Sequence, residues 1–231
     1  MKFRFILSIA LYLCGVSVQT FGADALAWTA ATCGGCHALQ DPLYDQKPVD
    51  ERANRKAPPL FYAGNKFRRD WLVSWLQKPD RIRPAGYFPP AHVVSGPDGD
   101  IVDETSLQQH PDFTQQEAVR AADYLMSLTP YTARLDEIEY APGSISWKMG
   151  NLNFGKFRGC DACHRDAPDF GGVSGPELYT AWDRLQPKFI FSFISNPAAW
   201  DAHTLMPHVE LNPAVVKKLA DYLKVNGEDE E

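Results

Sequence analysis

The chain has 231 residues, enough for two small domains of about 100 residues each. Hydrophobic residues make up 45% of it, ordinary for a globular protein and unlike a disordered one. Its net charge of −6 excludes the basic footprint of a nucleic-acid binder.

Lys2 and Arg4 precede an apolar run over 5–18, which is short for a membrane span. This is the pattern of a cleaved export signal, here residues 1–22. Small-residue rules allow cleavage after Gly22, with Thr20 at −3, or after Ala25, with Ala23 at −3. Left uncleaved, the segment would attach the chain to a membrane. Cys14 is a poor lipid-attachment site, because bulky Leu13 occupies the position that needs a small residue. Losing 1–22 takes the charge from −6 to −8 and leaves four of the five cysteines.

Those four lie in two pentapeptides, Cys33-Gly34-Gly35-Cys36-His37 and Cys160-Asp161-Ala162-Cys163-His164. Each has the Cys-x-x-Cys-His form that attaches a c-type haem. Two thiols add to the vinyl groups on one haem edge, and the adjacent histidine becomes the proximal iron ligand. The cofactors expected are therefore two covalent haems, held by Cys33, Cys36, Cys160 and Cys163 and ligated by His37 and His164. A four-cysteine zinc site would not need a histidine after both pairs, and Cys33 and Cys160 are 127 positions apart. A thioredoxin-like redox pair needs a preceding strand; 25–32 and 150–159 read as helical or loop lead-ins. No cysteine remains for a disulfide or an axial ligand.

The two halves repeat beyond these motifs. Trp71-Leu72-Val73-Ser74-Trp75-Leu76-Gln77-Lys78-Pro79 matches Phe189-Ile190-Phe191-Ser192-Phe193-Ile194-Ser195-Asn196-Pro197, each an amphipathic helix stopped by proline. A final helix over 115–128 with Ala122-Asp123-Tyr124-Leu125 matches one over 213–225 with Ala220-Asp221-Tyr222-Leu223. Thr114 and Asn212 are their N-caps, and Glu117 completes a capping box. Pro130 and Pro142-Gly143 interrupt helical periodicity between the halves. The expected division is a first domain over 23–129, a linker over 130–145 and a second domain over 146–231. The linker carries Leu135 and Ile138 and can pack on the domains. The acidic tail over 228–231 reads as solvated.

This order of haem motif, middle helix, loop and terminal helix resembles the class I cytochrome c domain. Over 25–225 the chain is similar to the tandem two-domain dihaem cytochromes c of bacterial periplasms. The resemblance implies an all-α fold in which each terminal helix crosses the first, with Tyr124 or Tyr222 in the crossing. It also implies export, since this haem attachment occurs outside the cytoplasmic membrane.

Trp200-Asp201-Ala202-His203-Thr204-Leu205-Met206-Pro207 resembles the family's distal loop, which makes Met206 the sixth ligand of haem 2. His203 and His208 are its alternatives. Gly175-Pro176-Glu177-Leu178 resembles the proximal segment, where the Pro176 carbonyl would accept the His164 imidazole N–H. In Ala57-Pro58-Pro59-Leu60, Pro59 is the better match.

The first half departs from the pattern. Pro197 to Met206 is nine positions, and the same step from Pro79 lands on Phe88 within Gly86-Tyr87-Phe88-Pro89-Pro90-Ala91-His92. No methionine lies between His37 and Met126. An extra stretch of about 20 residues includes the turn-rich Ser95-Gly96-Pro97-Asp98-Gly99-Asp100. His92 is the first candidate for the sixth ligand of haem 1. His110 is the second, although His110-Pro111-Asp112 reads as the lead-in to the last helix. An open site, or one held by Tyr87 or water, is the third. Bis-histidine ligation lowers a haem's potential relative to His/Met, so electrons would run from haem 1 to haem 2.

The expected function is a periplasmic dihaem electron carrier. It would take electrons from a dehydrogenase or quinol-linked donor and pass them to a terminal reductase, oxidase or other cytochrome. Its partners would be redox proteins with basic docking patches. The alternative is a haem enzyme, a peroxidase or small-molecule oxidoreductase. Haem 1 would then be open and haem 2 a relay, with Tyr87, His92 or His110 as distal acid or base.

Overall fold

A computed structural model describes residues 23–41, 44–97 and 99–228. The segment expected as an export signal, with Cys14, lies outside the described residues, as does the end of the acidic tail. The described chain is mostly helical, with 47% helix and few strands. None of its helices is long and apolar enough to cross a membrane.

In the first half, α1 (Ala23–Cys33) runs into the first motif. Two 3-10 turns, Tyr44–Gln46 and Val49–Asn54, lead to α2 (Ala63–Lys66) and α3 (Arg69–Gln77). The turn-rich insertion forms an antiparallel hairpin of β1 (Val93–Gly96) and β2 (Gly99–Val102), with Val93 opposite Val102 and Gly96 opposite Gly99. Helix α4 (Gln115–Met126) closes the half. Its capping box forms as expected: Glu117 N–H donates to Thr114 Oγ1 at 3.4 Å, and Thr114 N–H donates to Glu117 Oε2 at 2.9 Å.

Helix α5 (Thr132–Asp136) lies in the segment between the halves. In the second half, α6 (Trp147–Phe154) leads to the second motif, followed by the short ladder of β3 (Arg165–Ala167) and β4 (Phe170–Gly171). Helices α7 (Ala181–Arg184), α8 (Pro187–Ser195) and α9 (Pro213–Glu228) complete it. Asn212 caps α9, its Oδ1 accepting Val215 N–H at 3.0 Å.

The packing repeats with the sequence. Helix α4 packs on α1 and α3, as α9 packs on α6 and α8. In the second half the crossing is tight: a Cβ on Gly150 of α6 would stand 2.3 Å from Tyr222 Cδ2 of α9. Only glycine lets the two helices approach so closely. Tyr222 is fully buried there, and its hydroxyl donates to Asp166 at 2.8 Å.

A twofold relation joins the halves. A step of 118 residues carries Lys66, Phe67 and Arg68 onto Arg184, Leu185 and Gln186. Arg68 N–H donates to the Arg184 carbonyl, and Gln186 N–H donates to the Lys66 carbonyl, both at 2.9 Å. Phe67 and Leu185 form the antiparallel bridge between them. Reciprocal contacts of equivalent residues are the mark of an isologous interface, here formed within one chain.

An aromatic core of Tyr44, Phe61, Tyr62, Phe189 and Trp200 spans this interface. The connecting segment belongs to it as well, since Leu135 is buried in the same core. Tyr140 is buried in the second half's core, and its hydroxyl donates to Asp221 at 2.9 Å. The segment expected as a linker is therefore a strap packed on both halves.

Candidate functional site

Both pentapeptides adopt one backbone turn. His37 N–H donates to the Cys33 carbonyl at 2.9 Å, and His164 N–H to the Cys160 carbonyl at 3.0 Å. The second cysteine's N–H also bonds the first's carbonyl, at 3.1 Å for Cys36 and 3.2 Å for Cys163. A helical turn of this kind puts positions i, i+3 and i+4 on one face. The second motif presents both thiols and its imidazole to one side, and the first presents Cys33 and His37 to it, with Cys36 exposed. The four thiols are unpaired, and burial pushes Cys33 up and Cys160 up to about 11.

That side is a cavity of about 690 Å³ running between the halves, lined by Cys33, His37, Cys160, Cys163 and His164. Its walls are largely apolar: Leu60, Trp71 and Trp75 in the first half, Ile190, Leu219 and Leu223 in the second. Met206, His92 and His110 also line it.

The two histidines are held alike. His37 Nδ1–H donates to the Pro58 carbonyl, and His164 Nδ1–H to the Pro176 carbonyl, each at 2.7 Å. A carbonyl only accepts, so both rings carry their proton on Nδ1 and keep the Nε2 lone pair. Burial lowers His37 to about 4 and also lowers His164, so both stand neutral near pH 7. Gly175 makes room for the second ring, since a Cβ there would lie 2.5 Å from His164 Nδ1.

The first acceptor corrects the sequence expectation. It is Pro58, and Pro59 is buried beside it. The 118-residue step that pairs Pro79 with Pro197 also pairs Pro58 with Pro176. The repeat's own spacing carries the right choice.

Met206 shares with His164 both the large cavity and a smaller adjoining one of about 130 Å³. Its alternatives are occupied or outside. His203 is buried and donates from Nε2 to the Tyr44 carbonyl at 3.0 Å, while His208 is exposed. Tyr87 is also engaged: its hydroxyl donates to Asp201 at 2.8 Å and accepts from Arg55 at 3.2 Å. His92 Nδ1–H donates to Ser106 Oγ at 2.8 Å, and that hydroxyl donates to the Asp103 carbonyl at 2.7 Å.

The residues present fit a c-type haem. Among the described residues, no group of three or more His, Cys, Asp or Glu could hold a bare metal ion. A haem iron takes four ligands from its macrocycle and needs only axial donors from the chain. Lys66 lines the cavity with its ammonium 4.8 Å from the Phe67 ring, and Arg83 and Arg184 line it too. Burial first, then Arg83 and Arg184, push Lys66 down to about 7. A buried space with this cationic lining suits a flat apolar group that carries carboxylates. Comparison with protein-family models, with curated proteins and with solved structures found no match.

Proposed function

We propose that the chain is a tandem dihaem c-type cytochrome that carries electrons between redox proteins outside the cytoplasmic membrane. The observation that carries this reading is the cavity shared by Cys33 and His37 of the first motif and Cys160, Cys163 and His164 of the second, each histidine held by Nδ1 on a proline carbonyl. Each bound haem iron would cycle between Fe(III) and Fe(II), taking one electron from a reduced donor and giving it to an oxidised acceptor.

The chain's own residues anchor, orient and desolvate. Cys33, Cys36, Cys160 and Cys163 would supply the thioether links. His37 and His164, oriented by Pro58 and Pro176, would bind iron through Nε2. Met206 would hold the iron of haem 2 with a soft thioether, which favours Fe(II) and raises the potential. The cavity walls exclude water. The donor is a dehydrogenase or quinol-linked protein, the acceptor a terminal reductase, oxidase or other cytochrome, and the acid surface suits basic docking patches.

A haem enzyme needs an open iron with a free acid or base beside it. The Tyr87 hydroxyl, held by Asp201 and Arg55, does not meet that need. Absorption spectra with and without carbon monoxide test the choice. A carrier stays low-spin in both oxidation states and binds little carbon monoxide. A high-spin ferric band with full carbon monoxide binding at one haem would favour the enzyme. Met206→Ala should abolish the far-red band of Met–Fe(III) ligation and lower the higher of two potentials, leaving the other haem unchanged.

A further inference from the structure

Resting on the dihaem reading, we infer that His110 stands opposite His37 and is the sixth ligand of haem 1. The ring centroids of His37 and His110 are 6.4 Å apart, with the planes inclined at 59°. Two imidazoles bound to opposite sides of one metal ion, each at about 2 Å, hold their ring centres about 6 Å apart. The spacing is too wide for ring contact and right for one iron between them.

His110 has the tautomer this requires. Its Nδ1–H donates to the Pro111 carbonyl at 2.9 Å, leaving the Nε2 lone pair. The ring is half-buried, 4.7 Å from Trp75 and 6.1 Å from Phe113, so its orientation is set by packing. Both histidines line the same cavity.

Counted from the other end, the repeat brings His110 to within two positions of the Met206 register. His110-Pro111 precedes Asp123 of α4 by 13 positions, and Met206-Pro207 precedes Asp221 of α9 by 15. Each is an X-Pro pair leading into the terminal helix. Counting forward from Pro79 stops at Phe88 because it halts before the β1–β2 hairpin at 93–102. The insertion lies upstream of the ligand, not downstream.

His92 has another task. Its Cδ2–Nε2 edge lies against Gly86, where a Cβ would stand 2.9 Å from Cδ2 and 3.3 Å from Nε2. Its carbonyl accepts Asp103 N–H at 2.8 Å. Together with the Ser106 bond, these contacts make it a clasp at the base of the hairpin.

The test uses the mature full-length protein loaded with haem, with His110→Ala, His110→Met and His92→Ala. Haem stoichiometry is measured for each by intact mass. Spin state is read by electron paramagnetic resonance and near-infrared magnetic circular dichroism. Wild type should show one bis-histidine and one His/Met low-spin haem. His110→Ala should turn one of the two haems high-spin, add about one equivalent of carbon monoxide binding, and return to low-spin with added imidazole. His110→Met should replace the bis-histidine signal with a second His/Met signal. His92→Ala should keep both low-spin signals. Two haems with an unchanged bis-histidine signal in His110→Ala would overturn this inference alone, as would loss of that signal in His92→Ala. A wild-type protein without covalent haem would overturn the reading beneath it as well.

Discussion

Asp201 is the residue on which the two halves converge. It accepts from the Tyr44 hydroxyl at 3.2 Å, the Tyr87 hydroxyl at 2.8 Å, Arg55 at 3.3 Å and its neighbour His203 N–H at 2.9 Å. Tyr44, Arg55 and Tyr87 come from the first half, and Asp201 sits on the loop that leads to Met206. Arg55 and Asp201 are both largely buried, so deleting one partner strands the other's charge. Asp201→Ala should lower stability by about 3–5 kcal/mol in urea denaturation. Asp201→Asn keeps acceptor oxygen and shape and should cost less. Equal losses in the two variants would mean the charge is immaterial. None of this cluster was legible from the sequence. Arg55 and Asp201 are 146 positions apart, and no local pattern announces an ion pair made across a fold. The motif histidines were legible because each directly follows its cysteine pair.

At the scale of elements, what was legible is what local chemistry decides. Pro79 and Pro197 stop α3 and α8 shortly after their last turns, and Thr114 and Asn212 cap the terminal helices where expected. The turn residues around Pro97 yield the hairpin. The 3-10 turns over 44–54 were not legible, since they carry no periodicity and follow from the nine extra residues between His37 and Pro58 relative to His164 and Pro176. The crossing of α6 and α9 gives a sharp test. Gly150→Ala gains about 1 kcal/mol of helix propensity. Its Cβ would stand 2.3 Å from a ring whose hydroxyl is tied to Asp166 and Asn151, and overpacking of that kind costs about 1–3 kcal/mol. A net loss of stability is expected in thermal denaturation, because the pinned ring cannot step aside. A gain would mean that Tyr222 repacks freely.

At the scale of the molecule, the two halves share a core. The resemblance implies two domains and a linker, and Leu135 of that linker lies in one core with Tyr62, Phe189 and Trp200. The sequence marked Phe189 as part of an amphipathic helix and Leu135 as able to pack, without saying against which half. Residues 146–231 produced alone should therefore aggregate or bind hydrophobic dyes, since Phe189 and Trp200 lose their partners. A soluble monomer with a cooperative melt would show that the shared core is dispensable. The central claim is that this unit exists to hold two covalent haems side by side. Intact mass of the mature protein after acid–acetone extraction tests it most directly. The account predicts the polypeptide plus two haems, falling to one in Cys33→Ala or Cys160→Ala. A mass equal to the bare polypeptide, from cells competent to attach c-type haem, would contradict it.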